Sequence, residues 1–112
     1  MSKDQALACD QAIIEKIHRF YESIKKLYPV KGIILYGSHA KGHARSDSDI
    51  DVAVVIDLPE DTSTVKITSR LFHHASKIDT CIEPLCILWN EYQNCEKGSI
   101  LSEIIRTGIE VI

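Results

Sequence analysis

Residues 32–57 read GIILYGSHAKGHARSDSDIDVAVVID, and the order of apolar, glycine and acidic residues within them decides the fold. The run Ile33-Ile34-Leu35-Tyr36 stops at Gly37-Ser38, a basic turn follows, and then Asp49 and Asp51 alternate with apolar residues. An apolar run bounded by turn formers predicts a buried strand over about residues 31–36. The alternation predicts a second strand beside it, over about residues 49–56. Side chains two apart on a strand share a face, so Asp49 and Asp51 stand together with their Cα atoms roughly 6.5–7 Å apart. Ile50, Val52, Val54 and Ile56 take the other face, which is assigned to the core. Two carboxylates side by side on a rigid strand are costly without a positive partner. The simplest such partner is a divalent metal ion.

The turn between the strands adds a second feature. At Gly37 the chain must bend sharply, which glycine allows. Ser38 is a favoured N-cap and predicts a short helix running to about His43. Unpaired amides and the helix dipole at such a start suit a phosphate, and Lys41, His43 and Arg45 add positive charge nearby. On Gly-Ser alone, a common dipeptide, a tight turn with a solvated basic helix is the favoured reading. The acidic pair downstream is what favours the phosphate-binding reading.

Working toward the N-terminus, Ile13, Ile17, Phe20, Ile24 and Leu27 recur at spacings of four and three, predicting an amphipathic helix over about residues 4–28 that ends before Pro29. Toward the C-terminus, residues 60–63 are polar and loop-like. A helix is predicted over about residues 64–77, burying Val65, Leu71, Phe72, Ala75 and Ile78. His73 and His74 sit at its C-terminal end and read as surface residues, since adjacent helical positions do not face one site. A third strand is predicted over about residues 80–88 (TCIEPLCIL). Pro84 cannot donate a ladder hydrogen bond and marks an edge strand or an irregularity. Glu83 is the single charge in this run. It faces either solvent at the edge or the Asp49/Asp51 face, where a buried carboxylate would find a metal or another partner. Trp89 and Tyr92 read as packing residues rather than a base-stacking platform. A last helix is expected over about residues 98–107, with Ile100, Leu101, Ile104 and Ile105 as its apolar side. Gly108 would cap it, and a short strand over residues 109–112 would close the chain.

The 112 residues suffice for a single domain, 1–112, and not for two. At 45% hydrophobic and 26% charged, the composition is that of a soluble globular protein. No apolar run reaches membrane-spanning length and the N-terminus lacks a signal-peptide pattern, so a cytoplasmic location is expected. A net charge of −3 argues against a dedicated nucleic-acid binder. Cys9, Cys81, Cys86 and Cys95 form no CxxC pair and show no zinc-ligand spacing, so they read as reduced, structural thiols.

A glycine-serine turn, a basic segment, two carboxylates on one strand face and a candidate third together supply the parts of metal-assisted nucleotidyl transfer. The motif Gly37-Ser38 followed by Ser48-Asp49-Ile50-Asp51 resembles that of the DNA polymerase β-like nucleotidyltransferase superfamily, and GSHAKGHARSDSDIDVAVV looks like its minimal nucleotidyltransferases. The segments IEPLCI and SEIIRTGIEVI also look like members of that group.

The resemblance implies an α+β fold in which a small mixed sheet packs with helices. By it, Gly37, Ser38 and Lys41 would hold the triphosphate of ATP, and Asp49 and Asp51 would hold Mg2+, two ions in the usual arrangement. Glu83 would be the third carboxylate, binding metal and accepting a proton from the attacking hydroxyl. His39 stands where relatives usually carry arginine, and Lys41 stands where arginine is also common. The resemblance further implies a partner, a HEPN-domain toxin, for which the minimal nucleotidyltransferase serves as antitoxin by transferring AMP to a tyrosine. Two other readings compete with it. One is a binding module that neutralises its partner sterically. The other is transfer to a small-molecule hydroxyl, for which the chain has no second domain to shape the acceptor pocket.

Overall fold

The computed structural model describes residues 11–42 and 48–112. The start of the first expected helix, Cys9, His43 and Arg45 lie outside the described residues. Helix α1 (Gln11–Ile24) buries Ile13, Ile17, Phe20 and Ile24, the predicted stripe. It ends one turn earlier than expected. The amides of both Leu27 and Tyr28 donate to the Ile24 carbonyl, at 2.9 and 3.0 Å, as the chain tightens ahead of Pro29. That tightening rotates Leu27 off the stripe, and it is 57% exposed rather than buried.

Four strands follow in one sheet: β1 (Val30–Tyr36), β2 (Ile50–Ile56), β3 (Ile82–Leu88) and β4 (Ile109–Glu110), in the order β3-β2-β1-β4. β1 pairs antiparallel with both β2 and β4, while β2 and β3 run parallel. The parallel pair requires a crossover, which helix α2 (Thr64–Ser76) supplies. The sheet is therefore mixed and the fold is α+β, as the family resemblance implies.

Ile33, Leu35, Ile50, Val52, Val54, Ile56, Ile82, Cys86 and Leu88 line one sheet face and pack with α1 and α2. Assignment of the alternate β2 residues to this core holds. The opposite face is also covered in part: Ile34, Ala53, Val55 and Ile87 are buried against Ile104 of helix α4 (Ile100–Thr107), with Trp89 and Tyr92 of helix α3 (Trp89–Gln93) alongside. A central strand buried on both faces is apolar almost throughout, and this explains why β2 reads VAVVI.

Helices α2 and α4 correct the sequence reading at three further positions. α2 is capped by Ser63, whose side chain accepts from the Lys66 amide, and it buries Ile67, Leu71 and Ala75. This row at spacing four lies about 200° around the helix from Val65, given 3.6 residues per turn. Val65 and Phe72, expected in the core, share a different line and are 78% and 42% exposed. In α4, capped by Ser99, only Ile104 is buried; Ile100 at the first position projects clear of the sheet and is 83% exposed. Gly108 does cap α4, but with φ −78 it needs no left-handed backbone. Glycine is required there because a Cβ would collide with Ile34 Cγ2 and crowd the carbonyl of Leu35 at 3.0 Å.

β3 is an outer strand, in agreement with Pro84. The Cys81 carbonyl accepts from Ile50 of β2, so residues of the opposite parity turn their amide edges outward. Pro84 is one of these and forfeits no rung to β2. Cys86 is another, and its outward amide is taken by the Thr68 hydroxyl of α2 at 3.0 Å. These features blunt the edge against pairing with another strand. Cys81, Cys86 and Cys95 are free thiols, and burial pushes Cys86 up to about 11, as befits a packing residue. Among the described residues, no helix is long and apolar enough to cross a membrane.

Candidate active site

The sheet register brings together what the sequence places 47 positions apart or fewer. Tyr36, the last residue of β1, pairs with Asp51, and Asp51 lies directly beside Glu83 of β3. Neighbouring strands are about 4.8 Å apart, so the three side chains form a row across three strands. All three are half-buried, and they lie on the face opposite the α1/α2 core. Asp49, one residue before β2, is exposed at the rim. Of the two orientations open to Glu83 from sequence, the structure takes the one toward Asp51.

The carboxylates are close enough to act on one another's charge. Burial raises Asp51 above the ordinary carboxylate range, and the charge of Asp49 raises it further. A hydrogen bond with Glu83 and the positive field of His39 pull in the other direction. Glu83 is also raised, first by burial, then by repulsion from Asp49 and Asp51 and by hydrogen bonds to both. Burial, then Asp51 and Glu83, raise the Tyr36 phenol as well. Sequence reasoning treated Tyr36 only as the end of an apolar strand. Its place in the site depends on the β1–β2 register, which periodicity alone does not supply.

Gly37 adopts φ +74, and a Cβ there would run into the Asp51 carboxylate. The residue thus serves two ends: it reverses the chain after β1 and leaves room for Asp51. Gly37→Ala is expected to displace Asp51 and lower transfer on the order of a hundredfold, the upper end for disturbing a metal ligand's support. Steady-state kinetics with a parallel melting curve would show whether the loss exceeds that of global stability.

The short helix expected from Ser38 is absent from the described part of the loop. Residues 37–42 are turns, with the Lys41 amide donating to the Gly37 carbonyl at 3.2 Å. Gly42, also at φ +74, ends the turn before a helix can propagate. Ser38 therefore does not cap a helix, and phosphate contact would rest on turn amides and Lys41. Lys41 is exposed on this turn. His39 Nε2 lies 3.3 Å from the Ser48 carbonyl, tying the turn to the residue that precedes Asp49.

The donor set fits a hard divalent cation, since Asp49, Asp51 and Glu83 offer oxygen ligands only. Among the described residues, no lysine or arginine forms an ion pair with any of them. Nor is any group of three or more His, Cys, Asp or Glu side chains there placed to hold a metal ion by itself. A Mg2+ ion bound to these carboxylates would have to complete its shell with waters and substrate phosphates, as this ion commonly does.

Trp89 and Tyr92 stack on each other with ring centres 5.4 Å apart, and Lys31 Nζ lies 5.5 Å from the Trp89 ring centre. They line a cavity of about 180 Å3 with Val55 and Glu110. Val55 is four residues along β2 from Asp51, roughly 13 Å, so these rings pack at the other end of the face. Their reading as packing residues agrees with this placement.

Residues 7–106 match the family described as Nucleotidyltransferase domain. Two proteins of Methanocaldococcus jannaschii are similar along most of their length. The one named "Putative protein adenylyltransferase MJ0141" is 32% identical over 105 residues, covering 88% of this chain and 98% of its own. The one named "Putative protein adenylyltransferase MJ0604" is 31% identical over 93 residues, covering 76% and 93%.

Proposed function

We propose that this chain, which belongs to the Nucleotidyltransferase domain family and is a nucleotidyltransferase, transfers AMP from ATP to a protein hydroxyl. The observation that carries the reading is the Asp51–Glu83 register, which sets a metal-ligand candidate beside a carboxyl of raised proton affinity. The relatives' names, both of which specify a protein adenylyltransferase, support a protein acceptor.

Asp49, Asp51 and Glu83 would hold Mg2+, two ions where the substrate phosphates complete the shell. Bound there, the metal supplies charge neutralisation to the phosphates and leaving group. The turn at Gly37-Ser38 presents backbone amides to the triphosphate, and Lys41 adds positive charge. Glu83 accepts the proton of the attacking hydroxyl, whose oxygen bonds to the α-phosphorus as the bond to pyrophosphate breaks. A raised proton affinity suits this role, because it brings the base closer to neutral pH. The acceptor we propose is a tyrosine of a HEPN-domain toxin in the same cytoplasm, which the transfer would silence, making this chain the antitoxin. The resemblance to minimal nucleotidyltransferases supports that assignment.

Incubation of the purified chain and its genomic neighbour's product with α-labelled ATP and Mg2+ tests the reading. Label on a neighbour's tyrosine is the expected result. A stable complex without label would overturn transfer in favour of steric neutralisation, and label on neither protein would direct the search to a small-molecule acceptor.

A further inference from the structure

We propose that Asp79, clamped by Lys16, is a positioning residue that sets the first β2–β3 rung and so brings Asp51 beside Glu83. The inference rests on the transfer reading for its effect on rate, but its structural part stands independently.

Asp79 lies between α2 and β3, four residues before Glu83 and outside the candidate ligand set. Its backbone is fixed in a compact turn: the Asp79 amide donates to Ala75 at 2.9 Å, and the Ile82 amide donates to the Asp79 carbonyl at 3.1 Å. Its two carboxylate oxygens are used in different directions. Oδ1 accepts the Cys81 amide at 2.7 Å, and Oδ2 accepts Lys16 Nζ of α1, 63 residues away, at 2.6 Å. The Cys81 carbonyl then accepts the Ile50 amide at 2.7 Å, and the pairs Ile50–Ile82 and Asp51–Glu83 follow in register. A continuous chain of contacts therefore runs from Lys16 through Asp79 and Cys81 to the residue between Asp49 and Asp51.

This rung matters because strand side chains alternate. A slip of one residue would turn Glu83 onto the α2 face and away from Asp51. The hydrophobic pattern of β3 opposes such a slip in part, since Ile82, Pro84, Cys86 and Leu88 are buried on one parity and only Ile87 on the other. The Asp79–Cys81 bond supplies a specific directional contact at the strand's entry. The Lys16 and Asp79 side chains are 34% and 19% exposed, so the pair is partly withdrawn from solvent. Lys16 first, and the Cys81 amide second, hold the Asp79 carboxyl below its usual range, consistent with a charge kept in place for these contacts. Partners that orient a site's ligands without touching substrate commonly cost about 10–100-fold in activity or metal affinity when removed.

The test compares Asp79→Ala, which loses both contacts, with Asp79→Asn, which keeps an acceptor oxygen for Cys81. Transfer kinetics and hydrogen exchange of the Ile50 amide are measured on the full chain. Asp79→Ala is expected to lower kcat about 10–100-fold, leave KM for ATP nearly unchanged, and lose Ile50 protection while β1–β2 amides stay protected. Asp79→Asn should recover most of both. Wild-type kcat with a protected Ile50 in Asp79→Ala would overturn the proposal. So would equal losses in both variants with protection reduced across the sheet, which would mark a merely structural role. If Asp79→Ala does not fold, Asp79→Glu replaces it: its longer side chain keeps the Lys16 pair but shifts the acceptor away from Cys81. It should lower kcat and Ile50 protection, and wild-type values of both would overturn the clamp. If the wild-type chain shows no transfer, the transfer reading fails and Ile50 exchange decides alone. Protection lost in Asp79→Ala and kept in Asp79→Asn supports the clamp; protection kept in both overturns it.

Discussion

Asp49→Asn combined with Asp51→Asn is expected to abolish Mg2+-dependent transfer, by on the order of a thousandfold or more given what single electrostatic contacts to a transition state contribute. The same variant should melt higher than the parent chain at neutral pH in the presence of a chelator. The two effects have one cause. Asp51 is half-buried beside Asp49 and Glu83, and no lysine or arginine of the described residues pairs with them. Its charge is useful to a bound cation and costly without one. Asparagine keeps the shape and removes the repulsion. A double variant that retained Mg2+-dependent turnover would remove Asp49 and Asp51 from the metal site.

The sign of the pH dependence follows from the raised proton affinities. A carboxyl whose folded pKa lies above its unfolded value binds protons more tightly when folded. Asp51 and Glu83 therefore contribute stability that is fully present below their ordinary values of 3.8 and 4.5 and is lost as pH rises through their raised folded values. Asp79 works the other way: its lowered pKa contributes stability above 3.8 that disappears as pH falls through its folded value. In metal-free buffer, acidification through the window above 4.5 should thus stabilise the parent chain and stabilise the double Asn variant less. Melting curves across that window, with no difference between the two proteins, would contradict the electrostatic origin of the gain.

Much of this site was legible from local pattern. The alternation after Asp49 identified the strand and the face that Asp51 takes, because β periodicity is a local property, although the strand begins at Ile50 and leaves Asp49 just outside it. Pro84 identified the edge strand for the same reason. What periodicity could not supply was register between strands. The choice for Glu83 and the inclusion of Tyr36 both depend on which residue of one strand meets which of another. The failures share a second cause. Val65, Phe72 and Ile100 are apolar and helical in pattern, yet the packing of each helix fixes one stripe and leaves them outside it. The helix expected after Gly37 failed because Ser38 supplies a good cap while Gly42 closes the turn too soon. A local start signal says nothing about a stop four residues later.

Glu83→Gln should lower kcat by about 10²–10⁴, the range for loss of a general base, while ATP binding changes little. Glutamine keeps the volume and a hydrogen-bonding group beside Asp51, so the sheet and the nucleotide turn should be undisturbed. It cannot accept the acceptor's proton at neutral pH. The register argues for this division of roles: Glu83 reaches Asp51 from the outer strand β3, whereas the Gly37-Ser38 turn approaches Asp51 from β1 on the other side. Phosphate and proton acceptor would then meet Asp51 from opposite flanks, leaving the space between them for the attacking hydroxyl. Pre-steady-state transfer measured beside equilibrium ATP binding separates the two contributions. Equal losses in both would make Glu83 chiefly a metal ligand. Normal turnover would leave it as a half-buried edge residue with no part in the chemistry.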